Sequence, residues 1–378
     1  MVLFREGINS LQPKIWRIYR NGLLLWAPNT VITLLLPVFI LTATGLTVLS
    51  AISTHLFLLQ LSWILAGGLI LFVAFWFDWR PLLASPWFVA SLYFLVVILL
   101  VYVYAAGPVI RNVRGWLQLG PITLQPVELA KVALILLFAQ YFSRRHLKIA
   151  QFRVIFVSLS LFAAPFLLTA LQPDLGNALI LFAIWFGILI ASGLPRRKIA
   201  LAIVALSIVA ALGWVYGLKT YQRERITAVF YPEKNALGIN YSVIQSKIAI
   251  GSAGFWGKGY GQGSQTQLGY LTEPVSDFIF AALIEEWGVP GLIIILGAFS
   301  ALIVRIAYIG SVADRNFDKL LCIGAIIVFS TQFLLNTGSA TGLLPVVGVT
   351  FPFVSYGGSS MVANFLILSL VASVKYKL

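Results

Sequence analysis

The sequence predicts an all-α integral membrane protein that crosses the bilayer about ten times, and three observations support this. Of the 378 residues, 60% are hydrophobic and only 10% are charged, whereas an ordinary soluble domain is about 25% charged. The mean hydropathy is +0.96. Apolar runs of transmembrane length, about 20 residues, recur along the chain. No shift in composition marks a second domain, so we expect one polytopic membrane domain over residues 29–378.

Ten apolar segments are long enough to be predicted as transmembrane helices. In chain order they cover residues 30–51, 57–77, 87–106, 127–142, 154–171, 175–192, 199–218, 277–304, 320–338 and 358–374. The only long connection, residues 219–276, is polar and rich in glycine. Ahead of the first span, residues 1–28 combine Arg and Lys with Trp and Tyr, which predicts a basic interfacial segment on the cytoplasmic membrane surface.

The distribution of Lys and Arg predicts the orientation, because short cytoplasmic loops are enriched in both. With the N-terminus inside, cytoplasmic segments hold 17 of the 26 Lys and Arg residues and outer segments hold 8, while Lys131 lies within a span. Six of these 8 lie in residues 219–276, and long loops translocate largely regardless of charge. The short segments therefore divide 17 to 2. This predicts that both termini are cytoplasmic and that the large loop between helices 7 and 8 is extracytoplasmic.

The net charge of +14 limits the partners that we expect. In a polytopic membrane protein, such an excess is typical of basic loops held against anionic lipid headgroups, so we expect membrane lipids and no nucleic acid as partners. A basic outer site for an anionic lipid substrate is a second interpretation. The single Cys322 and two distant His residues offer no visible metal ligand set, and no nucleotide-binding motif appears.

Only twelve acidic residues occur, and three positions near the predicted spans stand out. Glu128 and Lys131 are three residues apart on one face of helix 4, where an ion pair either packs helices together or lines a polar cavity. Asp174 lies at the outer mouth of helices 5 and 6, where it either caps helix 6 or contacts substrate. Asp277 opens helix 8 directly after the outer loop. It is either an N-cap or first-turn acid of the helix or a general base that reaches both a lipid headgroup and water.

Two segments are rich in glycine or proline. GSAGFWGKGYGQGSQ, Gly251 to Gln265, looks like a phosphate loop but fails the GxxxxGK[ST] pattern, because Gly259 follows Lys258. It is either a flexible linker or a loop whose amides and Lys258 approach an anionic headgroup. TGLLPVVGVTFPFVSYGGSS, Thr341 to Ser360, contains prolines that break helices and is too apolar for a solvated loop. It predicts a re-entrant outer segment that shapes a cavity, in which Ser355 is a candidate substrate contact.

Five stretches that occur in order carry a family resemblance. They are RGWLQLGPITLQPVELAK, LQPDLGNA, YQRERI with NYSVIQSKIAIGSAGFWGKGYGQGSQ, LTEPVSDFIFAALIEEWG and LLPVVGVTFPFVSYGGSS. On these motifs the chain resembles the SEDS family (shape, elongation, division and sporulation), of the RodA and FtsW type. PVVGVTFPFVSYGGSS favours the RodA type. The ten helices and the large outer loop after the seventh also agree with that family.

The resemblance implies a peptidoglycan glycosyltransferase that polymerises lipid II on the outer face of the bacterial cytoplasmic membrane. It implies a class B penicillin-binding protein as the transpeptidase partner. By position it implies Asp277 as the essential aspartate, Glu128 and Lys131 as the polar pair of helix 4, and Glu273 as the acid before the aspartate. Arg114 is a candidate basic residue, although the family usually has Arg directly before the Trp, where this chain has Gly115.

The chain departs from the family pattern elsewhere, at Val127, Asn177, Thr272, Val275 and Ser276, where Ser, Thr, Pro, His and Thr are usual. None of these changes removes the acid or the ion pair, so an active enzyme is expected.

The family's donor carries a polyprenyl pyrophosphate, so no nucleotide is expected. Arg114, Lys131 or Lys258 can stabilise the departing pyrophosphate, and a divalent cation, Mg or Mn, can bridge it. Two alternatives stay open. One is a lipid II flippase, because intramembrane charges and broken helices also fit a carrier. The other is a non-catalytic scaffold for a synthase.

Overall fold

A computed structural model of the chain describes residues 30–76, 79–110, 113–120, 122–217, 220–231, 238 and 240–374. The predicted basic interfacial segment, residues 1–28, lies outside the described residues.

The described chain is almost entirely helical. Its α-helices are α1 (Thr30–Ile52), α2 (Thr54–Trp76), α3 (Arg80–Ala84), α4 (Pro86–Ala106), α5 (Pro126–Ser143), α6 (Phe152–Leu171), α7 (Leu175–Ala191), α8 (Arg196–Leu212), α9 (Thr220–Phe230), α10 (Tyr241–Ser252), α11 (Ser264–Gln267), α12 (Ile279–Val312), α13 (Asn316–Thr341) and α14 (Gly358–Ala372). A 3-10 turn covers His146–Lys148, and a π-helical turn, Gly213–Gly217, continues α8. Two short antiparallel strands, β1 (Leu117–Leu119) and β2 (Ile122–Leu124), pair with Leu117 opposite Leu124.

The multi-pass membrane architecture predicted from the sequence is confirmed. Among the described helices, eight are long and apolar enough to cross a membrane, namely α1, α2, α4, α5, α6, α8, α12 and α13. The apolar helices α7 and α14 are shorter, with 17 and 15 residues. These ten helices coincide with the ten predicted spans, and the largest difference is that α12 continues to Val312. The orientation, with both termini cytoplasmic, stays a prediction from the distribution of Lys and Arg.

Helix α5 lies at the centre of the bundle and contacts α4, α6, α7, α13 and α14. It is the most buried of the long helices, with 72% of its transmembrane window buried in the protein. Strands β1 and β2 precede α5 in the chain. Pro126 occupies the first helical position of α5, where its fixed φ angle favours the helical conformation. Helix α8 is the opposite case, because none of its window is buried. A helix that is apolar all round and unburied in the protein is suited to lipid.

The predicted outer loop 219–276 is largely folded. Its described part contains α9, α10 and α11, and α10 and α11 contact each other while α10 also packs against α12 and α13. Of the two interpretations of residues 251–265, a flexible linker is therefore wrong. We call residues 251–265 the glycine-rich loop below.

Residues 342–357, between α13 and α14, form no helix and yet are buried in their second half. Phe351, Phe353, Val354 and Ser355 are each at most 2% exposed. The non-helical backbone is bonded inside the protein, because Gln60 of α2 donates to Ser355 O at 3.0 Å and accepts from Gly357 N at 3.3 Å. Irregular backbone at membrane depth persists only under such conditions. The segment is thus non-helical and partly buried, as predicted, while its re-entrant position at the outer side of the membrane stays a prediction. We call it the 342–357 segment.

Candidate active site

Asp277 lies on a tight turn, residues 271–278, which joins α11 to α12; we call it the Asp277 turn. The backbone of Glu273 has φ +51° and its carbonyl accepts hydrogen bonds from Ser276 N at 3.3 Å and Phe278 N at 3.2 Å. Helix α12 begins only at Ile279, with Phe278 as its N-cap residue. Asp277 therefore precedes the N-cap residue, and the alternative of an N-cap or first-turn acid is wrong.

The carboxylates of the turn are half-buried. Asp277 and Glu273 are both of intermediate exposure, and the Glu273 carboxylate accepts a long hydrogen bond of 3.5 Å from Ser276 Oγ. Asp277 Oδ2 lies 3.9 Å from the position that a Cβ on Gly348 would occupy. The catalytic candidate thus faces the middle of the 342–357 segment.

Asn336, a buried amide on α13, holds the backbone around Asp277. Its Nδ2 donates to the carbonyl oxygens of Ser276 at 3.3 Å, Asp277 at 3.1 Å and Val349 at 2.8 Å. This single side chain joins the Asp277 turn to the 342–357 segment. Asn336 belongs to none of the sequence motifs that predicted the site, although an Asn in the apolar helix α13 is a usable signal, since a buried amide requires partners.

Ser355 reinforces the same junction from the other side. It is 2% exposed, and its hydroxyl donates to Ser276 O at 2.6 Å and accepts from Phe351 N at 2.8 Å. Tyr356 N also donates to Val275 O at 2.8 Å. The hydroxyl of Ser355 is therefore used by the protein's own backbone, and a contact between Ser355 and substrate stays a prediction.

The Glu128–Lys131 ion pair predicted on one face of a helix is confirmed. Lys131 Nζ lies 2.7 Å from Glu128 Oε1 in the first turns of α5, where Lys131 is 0% and Glu128 4% exposed. Glu128 Oε2 is buried without a hydrogen-bond partner among the described residues. An unsatisfied buried polar atom costs about 1–3 kcal/mol. Such an oxygen is suited to a water molecule or to a substrate hydroxyl.

Asp174 caps α7, as one of the two sequence interpretations expected. Its Oδ1 accepts from Asn177 N at 3.1 Å, and its Oδ2 accepts from Asn177 Nδ2 at 2.8 Å and Gln125 Nε2 at 2.9 Å. Burial raises the pKa of Asp174, while the hydrogen bonds from Asn177 and the charge of Lys131 oppose this rise. We call these five neighbours, Gln125, Glu128, Lys131, Asp174 and Asn177, the polar cluster.

Arg114 is exposed just outside the polar cluster. A Cβ on the next residue, Gly115, would lie 3.6 Å from Gln125 Nε2 and 3.8 Å from Gln172 Oε1. Position 115, where the family usually has Arg, therefore faces the cluster. Glycine leaves that space open in this chain, and a substrate-binding role of Arg114 stays a prediction.

The 342–357 segment brings the polar cluster and the Asp277 turn together. Gly176, in the first turn of α7, approaches it so closely that an added Cβ would lie 2.4 Å from Val347 O. The next residue of the segment, Gly348, faces Asp277 Oδ2. Ser359, just after the segment, accepts a hydrogen bond from Gln125 N at 3.0 Å. The two groups of candidate residues thus both adjoin the 342–357 segment.

Lys258 lies apart from these groups, on the glycine-rich loop. Its ammonium lies 3.2 Å from Glu285 Oε1, and Glu285 is fully buried in α12. The same carboxylate accepts from Gln265 N at 2.8 Å, Thr266 N at 3.1 Å and Thr266 Oγ1 at 2.8 Å. Loop amides and Lys258 were predicted to approach an anionic headgroup. In the structure they surround the carboxylate of Glu285 instead. A contact between Lys258 and substrate stays a prediction.

A break in α12 gives the glycine-rich loop its backbone partners. Gly288 has φ +62° and ψ −146°, and Pro290 has no N–H to give to Glu286 O. The carbonyls of Glu285 and Glu286 instead accept from Lys258 N at 2.9 Å and Gly259 N at 3.0 Å, and Val289 N donates to Phe255 O at 2.9 Å. The loop therefore replaces the hydrogen bonds that the helix loses.

The described residues do not offer a preformed metal site. Among them, no group of three or more His, Cys, Asp and Glu side chains is arranged to hold a metal ion. The residues present therefore do not fit a cation held by the protein alone.

Known proteins of one family resemble this chain over most of its length. The model of the cell cycle protein family of FtsW, RodA and SpoVE matches residues 23–378. Peptidoglycan glycosyltransferase MrdB of Escherichia coli K12 is 38% identical over 283 residues, which cover 75% of this chain and 76% of MrdB. Stage V sporulation protein E of Bacillus subtilis 168 is 35% identical over 303 residues, which cover 79% of each protein.

Solved structures show the same fold. A chain of a peptidoglycan synthase complex that coordinates polymerization and crosslinking superposes with a TM-score of 0.76 at 29% identity, covering 90% of this chain and 96% of that chain. The rod shape determining protein RodA of Thermus thermophilus superposes with a TM-score of 0.69 at 27% identity, covering 92% of this chain and 96% of RodA.

Proposed function

Because the chain belongs to the FtsW, RodA and SpoVE family of cell cycle proteins, we propose that it is a peptidoglycan glycosyltransferase. It polymerises lipid II into glycan strands at the outer face of the bacterial cytoplasmic membrane. One observation supports this most directly. The half-buried carboxylate of Asp277 lies on a turn whose backbone is bound by Asn336 and Ser355, and both this turn and the polar cluster adjoin the 342–357 segment.

In the proposed reaction, Asp277 is the general base. It takes the proton from the 4-hydroxyl of the acceptor sugar while that oxygen forms a bond to the anomeric carbon of the donor sugar. The bond between this carbon and the pyrophosphate oxygen breaks, and polyprenyl pyrophosphate leaves with the electron pair. A general base typically contributes about 10²–10⁴-fold to the rate. The fixed backbone of the Asp277 turn supports this role, because catalysis by proximity requires a positioned group.

The polar cluster is suited to binding sugar hydroxyls or amides. Its charges are buried and mostly paired, and Glu128 Oε2 still lacks a partner among the described residues. Burial makes such hydrogen bonds stronger than at an exposed surface. We propose that substrate completes the bonding of Glu128 and that Lys131 holds this carboxylate in place through its ion pair. Arg114 and Glu273 border the site and are proposed to contact substrate.

A divalent cation was expected at the pyrophosphate. Because the described residues do not fit a metal ion held by the protein alone, no step of the proposed reaction uses one. We propose that Mg or Mn, where it takes part, is bound chiefly by the pyrophosphate of the substrate.

A class B penicillin-binding protein is the proposed transpeptidase partner, since one structural neighbour belongs to a peptidoglycan synthase complex.

A lipid II flippase is the second candidate function. The buried Glu128–Lys131 pair favours it, since intramembrane charges often line transport pathways. A flippase would need no base at Asp277, so the two candidates differ in what the loss of this carboxylate does.

The test uses purified protein in lipid nanodiscs with lipid II, and glycan strands are measured by gel electrophoresis. We expect Asp277→Asn to lower strand formation by about 10²–10⁴-fold, because the proton acceptor is lost. Asp314→Asn is the matched control, since Asp314 is exposed at the predicted cytoplasmic end of α12. Normal strand synthesis by Asp277→Asn would contradict the role of Asp277 as the general base, and no strand synthesis by the unmodified protein would contradict the enzyme proposal. Lipid translocation without strand synthesis by the unmodified protein would establish the flippase instead.

A further inference from the structure

A pocket on the predicted outer side lies between α9, α10 and the start of the 342–357 segment. It has a volume of about 220 Å³, and its lining includes Arg225, Asn240, Ser242, Lys247, Gly342 and Val346. One water needs roughly 10–15 Å³ by the same measure, so the pocket admits a group much larger than a single ion. None of the described residues that line it is an Asp or Glu. Two of its described lining residues, Arg225 and Lys247, are cations.

The two cations are positioned by neighbouring backbone. Arg225 Nη1 donates to Val346 O at 3.4 Å, and the planar guanidinium offers five donors in a fork that matches phosphate oxygens. Gly342 ends α13 with φ +74°. A Cβ there would lie 2.3 Å from Lys247 Cε and 2.6 Å from Lys247 Nζ. Glycine at position 342 therefore makes room for the Lys247 side chain at the pocket.

The pocket adjoins the Asp277 turn by two routes. Val346 lines the pocket, and Gly348, two residues further, faces Asp277 Oδ2. Two extended residues span at most about 7 Å. In addition, the hydroxyl of Ser242, also in the pocket lining, is hydrogen-bonded to the hydroxyl of Thr272 on the Asp277 turn.

We propose that Arg225 and Lys247 form a diphosphate-binding subsite for the lipid-linked donor. This rests on the proposed function and adds to it the place where the leaving group is held. As the bond to the anomeric carbon breaks, negative charge grows on the departing diphosphate, and the two cations stabilise it. Asp277, a short distance along the same segment, accepts the proton from the acceptor.

Binding is measured directly, so that turnover does not enter. The full chain carrying Asp277→Asn is placed in nanodiscs, and binding of polyprenyl diphosphate is followed by intrinsic tryptophan fluorescence. We expect Arg225→Gln and Lys247→Gln each to weaken binding about tenfold. Arg223→Gln is the matched control, because Arg223 lies on the same helix, bonds to Val215 O at 2.9 Å and does not line the pocket. It is expected to bind as the parent does. Equal melting temperatures check that each variant is folded.

Competition with inorganic diphosphate distinguishes a site for lipid-linked diphosphate from a site for free diphosphate. We expect it to compete with the lipid at higher concentration, and inorganic sulfate to compete much less. Weaker binding of the lipid form than of free diphosphate would overturn the assignment to a lipid-linked donor. Unchanged lipid binding in both pocket variants would overturn the subsite, even where Asp277→Asn abolishes strand synthesis. Conversely, strand synthesis by Asp277→Asn would refute the proposed general base, whatever the pocket binds.

Discussion

At the scale of single residues, the site depends on side chains that bond to backbone rather than to each other. Asn336 donates to three carbonyl oxygens around Asp277, and Ser355 bonds to two backbone groups of the same junction. Backbone contacts of this kind fix the position of the turn and so of the carboxylate that it carries.

Asn336→Leu tests this role. The substitution keeps the side-chain size but removes the shared donor, so the Asp277 turn and the 342–357 segment lose a link. A displacement of about 1 Å can cost about 10²-fold in rate, and we expect strand synthesis to fall by about that factor.

Gln332→Leu is the control for this substitution. Gln332 lies one turn earlier on α13, is fully buried, and neither polar atom of its amide has a hydrogen-bond partner among the described residues. The same chemical change there should leave strand synthesis close to that of the parent. Equal losses in both variants would show that Asn336 acts through general stability of α13 and not through Asp277.

At the scale of elements, the broken helix α12 and the glycine-rich loop depend on each other. The backbone break at Gly288 exposes carbonyls that the loop amides satisfy, and Glu285 binds the loop through four further donors. Because buried backbone groups need partners, neither element is well formed without the other. The loop is therefore a structural part of the outer face and leads directly into the Asp277 turn.

Gly288→Ala should weaken the contacts between α12 and the glycine-rich loop. Its backbone conformation is one that glycine alone adopts easily, at a cost of about 1–3 kcal/mol for other residues. An added Cβ would also lie 2.3 Å from Gly257 N and 2.4 Å from Phe255 O. We expect a lower melting temperature and faster trypsin cleavage after Lys258.

Gly297→Ala is the matched change for the same helix. A Cβ on Gly297 meets no atom within 4 Å, so protease sensitivity should stay at the parent level. Slow cleavage of Gly288→Ala, equal to that of the parent, would mean that the loop is held without the backbone contacts described above.

At the scale of the whole molecule, the proposal requires the Asp277 turn to face away from the cytoplasm. Cys322 is the single cysteine and is buried, so replacing it with Ser gives a background for labelling. We expect a membrane-impermeant maleimide to label Gln262→Cys but not His146→Cys in intact cells, since both positions are exposed and lie on opposite predicted sides. The reverse pattern would put Asp277 on the cytoplasmic side and remove its access to an outer substrate.

Much of this molecule follows from the sequence by simple physics. Length and apolarity of the runs determined ten helices, because a bilayer admits only segments that satisfy their own backbone. The charge pattern predicted the orientation. Three-residue spacing determined the Glu128–Lys131 pair, and an acid before α7 determined its cap at Asp174, because both contacts are local in the chain.

The tertiary structure decided the contacts between distant parts of the chain. It placed Asn336 beside Asp277, Glu285 beneath the glycine-rich loop, and Arg225 with Lys247 around one pocket. No spacing rule of helices or strands relates residues so far apart in the chain; Asn336 and Asp277, for example, are 59 positions apart. These contacts depend on how helices pack and where their breaks fall, and those follow from the combined packing of the whole bundle rather than from any one segment.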